Sequence, residues 1–196
     1  MKKFLLITWF CMLVFSCFSQ KTGQLVDKRD GKIYRTVKIG NQWWMAQNMA
    51  CNTGNCYPYN NDESNLPAYG YYYKWSSAKD ACPAGWHLPN MEDWTILRDY
   101  LGGDNGSGGK MKSLEGWDSP NKGATNESGF NGMAGGDGNS QTMKFYSMGR
   151  YGNFWSAKPY GNNKAQYYFL SFEYDVLYET AIDPNTALLN VRCVKN

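Results

Sequence analysis

Few side chains in this chain are typed and spaced for covalent chemistry. A Ser/His/Asp triad would have to use His87, the only histidine. His87 sits between Trp86 and Leu88-Pro89, close to Cys82. That setting reads as a structural histidine rather than a general base. The carboxylate pairs Glu92/Asp93 and Glu173/Asp175 read as solvated, and the first pair also suits the start of a helix. Zinc ligation fails on spacing, because His87 has no second Cys or His near it and Cys82. The run Gly102–Gly109 resembles a phosphate loop only in its glycines: Met111 follows Lys110, and position 104 is Asp rather than Gly. Asp183-Pro184-Asn185 mimics half of a calcium-dependent sugar site. The other half is missing, Leu189-Asn190-Val191 being the nearest substitute, so a turn is expected. The residues therefore point to no catalytic set, no metal and no cofactor, and the chain is expected not to be an enzyme.

What the sequence does supply is rings. Aromatic residues make up 16% of the chain, and Tyr57, Tyr59, Tyr71, Tyr72, Tyr73, Tyr151, Tyr160, Tyr167 and Tyr168 exceed what a small core needs. Tyrosine offers an apolar face and a polar tip, which can stack on a sugar or anchor a protein partner. Tyr57, Tyr59, Tyr72, Tyr151 and Tyr160 are the candidate ligand contacts. Residues 51–68 and 102–109 read as the variable surface loops of a rigid scaffold.

The elements that must position these rings are short. Asp30-Gly31 predicts a hairpin turn. After it, Ile33, Val37 and Ile39 share one strand face, while Tyr34, Thr36 and Lys38 share the other. Gly40-Asn41 reverses the chain again before Gln42-Trp43-Trp44-Met45. A short helix is expected over 76–81. The clearest helix is 91–101, with Asn90 as N-cap, Pro89 before it, and Trp94, Leu97 and Leu101 as its apolar stripe. Gly102 should end it. Strands are expected over 165–174 and 186–194, the latter with Leu189, Val191 and Cys193 on one face. With 21 glycines and few aliphatic residues, the pattern is an α+β chain of short strands, one or two helices and long loops.

The N-terminus reads as an address. Lys2 and Lys3 precede an uncharged run from Phe4 to Phe15, too short to span a bilayer and suited to a secretory leader. Cleavage after Ser19 is the preferred reading. Alternatively, Ser16-Cys17 is a lipobox and Cys17 carries a lipid anchor. Nothing later is apolar for long enough to form a transmembrane segment. Without Lys2 and Lys3 the formal charge of +3 falls to +1, which removes the electrostatic reason to expect a nucleic-acid partner. The mature chain, 20–196, is expected to be one extracytoplasmic domain, secreted or held in the cell envelope. Cleavage would leave Cys51, Cys56, Cys82 and Cys193, an even set that reads as two disulfides. Of three pairings, the expected one is Cys51–Cys56, around the small turn at Gly54, with Cys82–Cys193.

The string Cys82-Pro83-Ala84-Gly85-Trp86-His87-Leu88-Pro89, continuing to Trp94, resembles the Fibrobacter succinogenes major paralogous domain. Trp155-Ser156-Ala157 and Val191-Arg192-Cys193-Val194-Lys195 fit it too. So do Asp30-Gly31-Lys32-Ile33-Tyr34, Trp44-Met45-Ala46-Gln47-Asn48 and Ser128-Gly129-Phe130-Asn131. The resemblance covers roughly residues 24–196. It implies an exported bacterial protein and carries no settled biochemical role. The order of these motifs is also similar to the C-type-lectin-like fold, which the formylglycine-generating, sulfatase-modifying proteins share. The cysteines here do not match those enzymes' catalytic pattern. The expected function is thus non-catalytic binding of a glycan or a protein ligand at the cell surface, with a structural subunit of a surface assembly as the alternative.

Overall fold

The computed structural model describes residues 20–196. The expected leader, with Cys11 and Cys17, lies outside the described residues. Strands β1 (Thr22–Val26), β2 (Ile33–Ile39) and β3 (Gln42–Met45) form an antiparallel meander. Its first turn closes as expected: Gly31 is in the left-handed region (φ 75°), and its N–H donates to Asp27 O at 2.7 Å. The strand β4 (Cys56–Tyr57) pairs with β5 (Tyr72–Tyr73). Between them, where a featureless loop was expected, lie two single 3₁₀ turns and the short helix α1 (Leu66–Tyr69). Helix α2 (Trp75–Ala78) and strand β6 (Trp86–His87) follow, then α3 (Met91–Tyr100) and α4 (Ser107–Met111). The rest is β7 (Asp137–Asn139), β8 (Lys144–Tyr146), β9 (Tyr151–Tyr160), β10 (Lys164–Ser171), β11 (Tyr178–Ile182), β12 (Ala187–Leu188) and β13 (Val194–Lys195). The chain is α+β, and all paired strands are antiparallel. None of the described helices is long and apolar enough to cross a membrane.

The main sheet runs β1-β2-β3-β13-β6, so a strand from the far end of the chain lies between two early ones. Cys82–Cys193 fixes this arrangement, with Cα atoms 5.8 Å apart across a separation of 111 residues. Closing a loop of that length is worth about 4–5 kcal/mol in the chain-entropy account. The expected Cys51–Cys56 bond is absent, and both thiols are free and buried. The reason is local. Cys56 is drawn into pairing with Tyr73, and its thiol donates to Asn52 Oδ1 at 3.4 Å. The Cys51 sulfur instead faces Asp27 and Asp30. Burial pushes both thiols above their ordinary pKa.

Two large apolar clusters fill most of the interior. One joins Val37, Ile39 and Trp44 of the main sheet to Trp94 and Leu97 of α3 and to Phe154, Tyr168 and Leu170 of β9 and β10. Trp94 lies 4.9 Å from both Trp44 and Tyr168, centroid to centroid. The helix start is built as its sequence suggests: Asn90 accepts from the Glu92 and Asp93 N–H groups, and Asp93 returns a bond to the Asn90 N–H. The other cluster gathers Met45, Met49, Tyr73, Trp155, Leu189, Val191 and the Cys193 side of the disulfide. Tyr34 joins it too, while Ile33 is exposed, so β2 buries both faces rather than the single face its alternation suggested.

Among the described residues, two cations are buried outright. Arg192 lies over the rings of Phe130 (4.6 Å) and Phe154 (5.6 Å). It donates to Asn48 Oδ1 and to the carbonyls of Met45, Phe130 and Asn131. Lys112 Nζ donates to the carbonyls of Lys122, Ser171 and Tyr174 at 2.7, 2.9 and 2.9 Å. The segment 102–109 departs from its expected reading as well. Its second half is a buried turn of helix, because a Cβ on Gly108 would lie 2.4 Å from Val176 O and one on Gly109 would lie 2.3 Å from Gly123 O. These glycines serve close backbone approach, not a loose surface.

Candidate binding cleft

Strand β10 reads Tyr167-Tyr168-Phe169-Leu170, and alternation sends its residues to opposite faces. Tyr168 and Leu170 enter the core, whereas Tyr167 and Phe169 stay half-buried on the other side. The register places Tyr167 opposite Trp155, Phe169 opposite Asn153, and Ser171 opposite Tyr151. On the far side, Phe169 faces Tyr178 of β11, their rings stacked at 5.1 Å. Tyr151 meets the Phe169 ring edge-on at 6.0 Å, and Tyr167 lies 6.1 Å from Phe169. The second face of β9–β10 is therefore an aromatic wall that buries Trp155 in the second cluster and leaves Tyr151, Tyr167 and Phe169 half-buried at its margin.

Against this wall the chain sets a polar corner. Gly136 is in the left-handed region (φ 71°), and a Cβ there would fall 1.9 Å from Tyr146 O. Only glycine fits, and its backbone is tied down twice: its N–H donates to Tyr151 O, and its carbonyl accepts from Asn153 Nδ2. This anchoring fixes Asp137, the next residue. Burial raises the Asp137 carboxyl above the ordinary carboxylate pKa, and a hydrogen bond with Ser147 partly offsets that. Ser147 itself is held at φ 62°, a conformation L residues seldom adopt. Asp137, Ser147, Asn153, Tyr151, Tyr167 and Phe169, with Ile182 and Leu189 at the base, enclose a cleft of about 280 Å³. That is close to the lower bound of small-molecule sites, about 300 Å³. Among the described residues, three hollows are larger: one of about 460 Å³ along β1 and β2 with no aromatic ring, and two of about 480 and 500 Å³ lined by a single aromatic residue each, Trp75 and Tyr100.

The five tyrosines singled out from the sequence separate. Tyr151 lines the cleft. Tyr59 and Tyr72 are buried behind it in a cluster with Phe145, with ring centroids 5.1–5.8 Å apart, and the Tyr72 hydroxyl donates to Gly135 O at 2.5 Å. Tyr57 is half-buried against the same cluster. Tyr160 is exposed near the tip of the β9–β10 hairpin, outside the cleft lining. Sequence reasoning missed Asp137, Asn153, Ser147 and Phe169. It counted Tyr167 among the surplus rings without selecting it. The available signals were the two-residue alternation of β10 and the glycines flanking Asp137.

The residues weighed for chemistry are occupied otherwise. His87 lies 3.0 Å from Asp93 Oδ2 through Nε2 and 2.5 Å from Asn196 Oδ1 through Nδ1. Asp183 accepts from Asn185 N–H at 2.9 Å and from the Thr186 hydroxyl, a turn capped from within. Asp27, Asp30 and Cys51 bring three ligand-type atoms within 4.8 Å of one another. Arg29, however, grips both Asp27 oxygens, which lowers that carboxyl's pKa, and Asp30 caps the Lys32 N–H.

Fold and cleft together define a small disulfide-stapled α+β domain carrying an aromatic recess with a single carboxylate. The chain belongs to the Fibrobacter succinogenes major domain family, whose model matches residues 37–195. No curated protein and no solved structure shows significant similarity to the chain.

Proposed function

We propose that the chain is an exported, non-catalytic binding protein of the cell surface or envelope, and that its ligand is a glycan seated in the β9–β10 cleft. The observation that carries this reading is the pairing of an aromatic wall with a fixed polar corner. Rings cover the apolar face of a sugar, while Asp137, Asn153 and Ser147 meet its hydroxyls. The cleft has room for about one sugar ring. Export is supported by the N-terminal pattern of residues 1–19 and by the long-range disulfide, which persists in oxidising compartments. A C-type-lectin-like arrangement is supported by early and late strands sharing one stapled sheet with long irregular excursions between them. Against catalysis stand the engaged ring nitrogens of His87, the raised thiols of Cys51 and Cys56, and a cleft whose lining holds one carboxylate among the described residues.

The test is a glycan array followed by titration calorimetry on the disulfide-intact domain. Tyr167→Ala should weaken binding of a captured glycan by about tenfold, or roughly 1.4 kcal/mol. Tyr160→Ala should leave binding unchanged. Equal losses in both variants, or none in either, would remove the cleft from consideration.

A further inference from the structure

Resting on that reading, the cleft also specifies the kind of sugar. Asp137 is the only charged side chain in its lining, and none of the described ion pairs includes it. The titratable groups around it are phenols: Tyr59, Tyr72 of β5, Tyr151 of β9 and Tyr167 of β10. No lysine, arginine or histidine among the described residues lines the recess. A partly desolvated carboxylate with one hydroxyl partner is a standing cost to the fold. The chain nonetheless holds it in place, on a glycine that no other residue can replace and beside a serine in a left-handed conformation. What such a carboxylate lacks is a cation, and the recess it shares is lined by the aromatic residues Tyr151, Tyr167 and Phe169, whose ring faces are the other group that attracts one.

We propose that the sugar held in this cleft carries a free primary ammonium group, paired with Asp137 and flanked by the rings of Tyr151 and Tyr167. The ligand class is then a glycan containing unacetylated hexosamine. A neutral or N-acetylated sugar would occupy the same space and leave the carboxylate desolvated and uncompensated.

Titration of the disulfide-intact domain with a glucosamine hexamer, an N-acetylglucosamine hexamer and a glucose hexamer separates the possibilities. The amine-bearing hexamer should bind at least tenfold more tightly than the other two. Its affinity should fall at acid pH as Asp137 takes up a proton, and again at alkaline pH as the sugar amine loses one. Asp137→Asn, checked for an unchanged far-ultraviolet spectrum and a melt no lower than that of the parent, should erase the preference while neutral sugars still bind. Equal affinity for all three hexamers, or a preference that survives in Asp137→Asn, would overturn the ammonium proposal and leave glycan binding standing. Binding of none of them would overturn both. Capture of hexalysine without any sugar would overturn the proposal in favour of a lysine-bearing protein partner.

Discussion

Arg192 and Asp137 make an instructive pair: each holds a charge that no opposite charge among the described residues pairs with. Around Arg192 the protein completes the job itself. Three carbonyls and an amide oxygen accept its N–H groups, and two aromatic rings lie against its plane. Burial lowers its pKa, but four of the five N–H groups of the buried guanidinium are hydrogen-bonded. Lys112 follows the same plan with three carbonyls. Around Asp137 the protein stops short, offering one hydroxyl and a set of rings. A charge satisfied from within holds loops together. A charge left half-satisfied in an open recess is available to something else.

Substitutions can break that contrast. Arg192→Met should be the most damaging, because it strands four buried acceptors. A loss of about 4 kcal/mol is expected, seen as a fall of roughly 8–16 °C in the thermal midpoint. Lys112→Met should cost about 2–3 kcal/mol by the same logic. Burial draws the Lys112 ammonium down to about 8 from 10.5, so the native state releases its proton first. Between those values the unfolded chain holds more protons, and stability owed to this group rises with pH. Lys112→Met should flatten that rise in denaturant titrations.

Asp137→Asn should act in the opposite sense. Its folded pKa is raised above 3.8. Its favourable contribution is thus fully present below that value and is lost as pH climbs through the folded pKa. Removing the charge should raise the melting temperature at pH 7 and leave it unchanged at pH 3. A fall at pH 7 would place Asp137 with the structural charges and dissolve the contrast. The smallest effect concerns sulfur, where the chain again has one closed pair and one open pair. Of the four described cysteines, non-reducing unfolding with alkylation should label only Cys51 and Cys56, and Cys56→Ala should cost only about 1 kcal/mol. Protection of all four sulfurs would restore the second staple.

Helix α3 was legible in the sequence because its cap, its acidic first turn and its apolar stripe all lie within one short stretch. Cys82–Cys193 was legible because few partners were available. The tyrosines were not, because their burial depends on which distant strand lies alongside. Tyr72 is buried only because Gly135 and Phe145 arrive against it, and Tyr73 because it bridges to Leu189. The glycine run at 102–109 misled for a similar reason: flexibility and close approach look alike in sequence, and only Val176 and Gly123 decide between them. Asp137 carries no local signature. Its character comes from the Gly136 backbone meeting Tyr146 and Tyr151.

The position of β13 between β3 and β6 sets a schedule as well as a shape. A nascent chain that has emerged through α4 already contains both neighbouring strands, yet they cannot join, because the strand between them is still to come. Cys82 must wait as a free thiol for a partner 111 residues behind it. The main sheet is therefore completed only once the C-terminal strand has been made, and until then the domain is an open, unlocked chain.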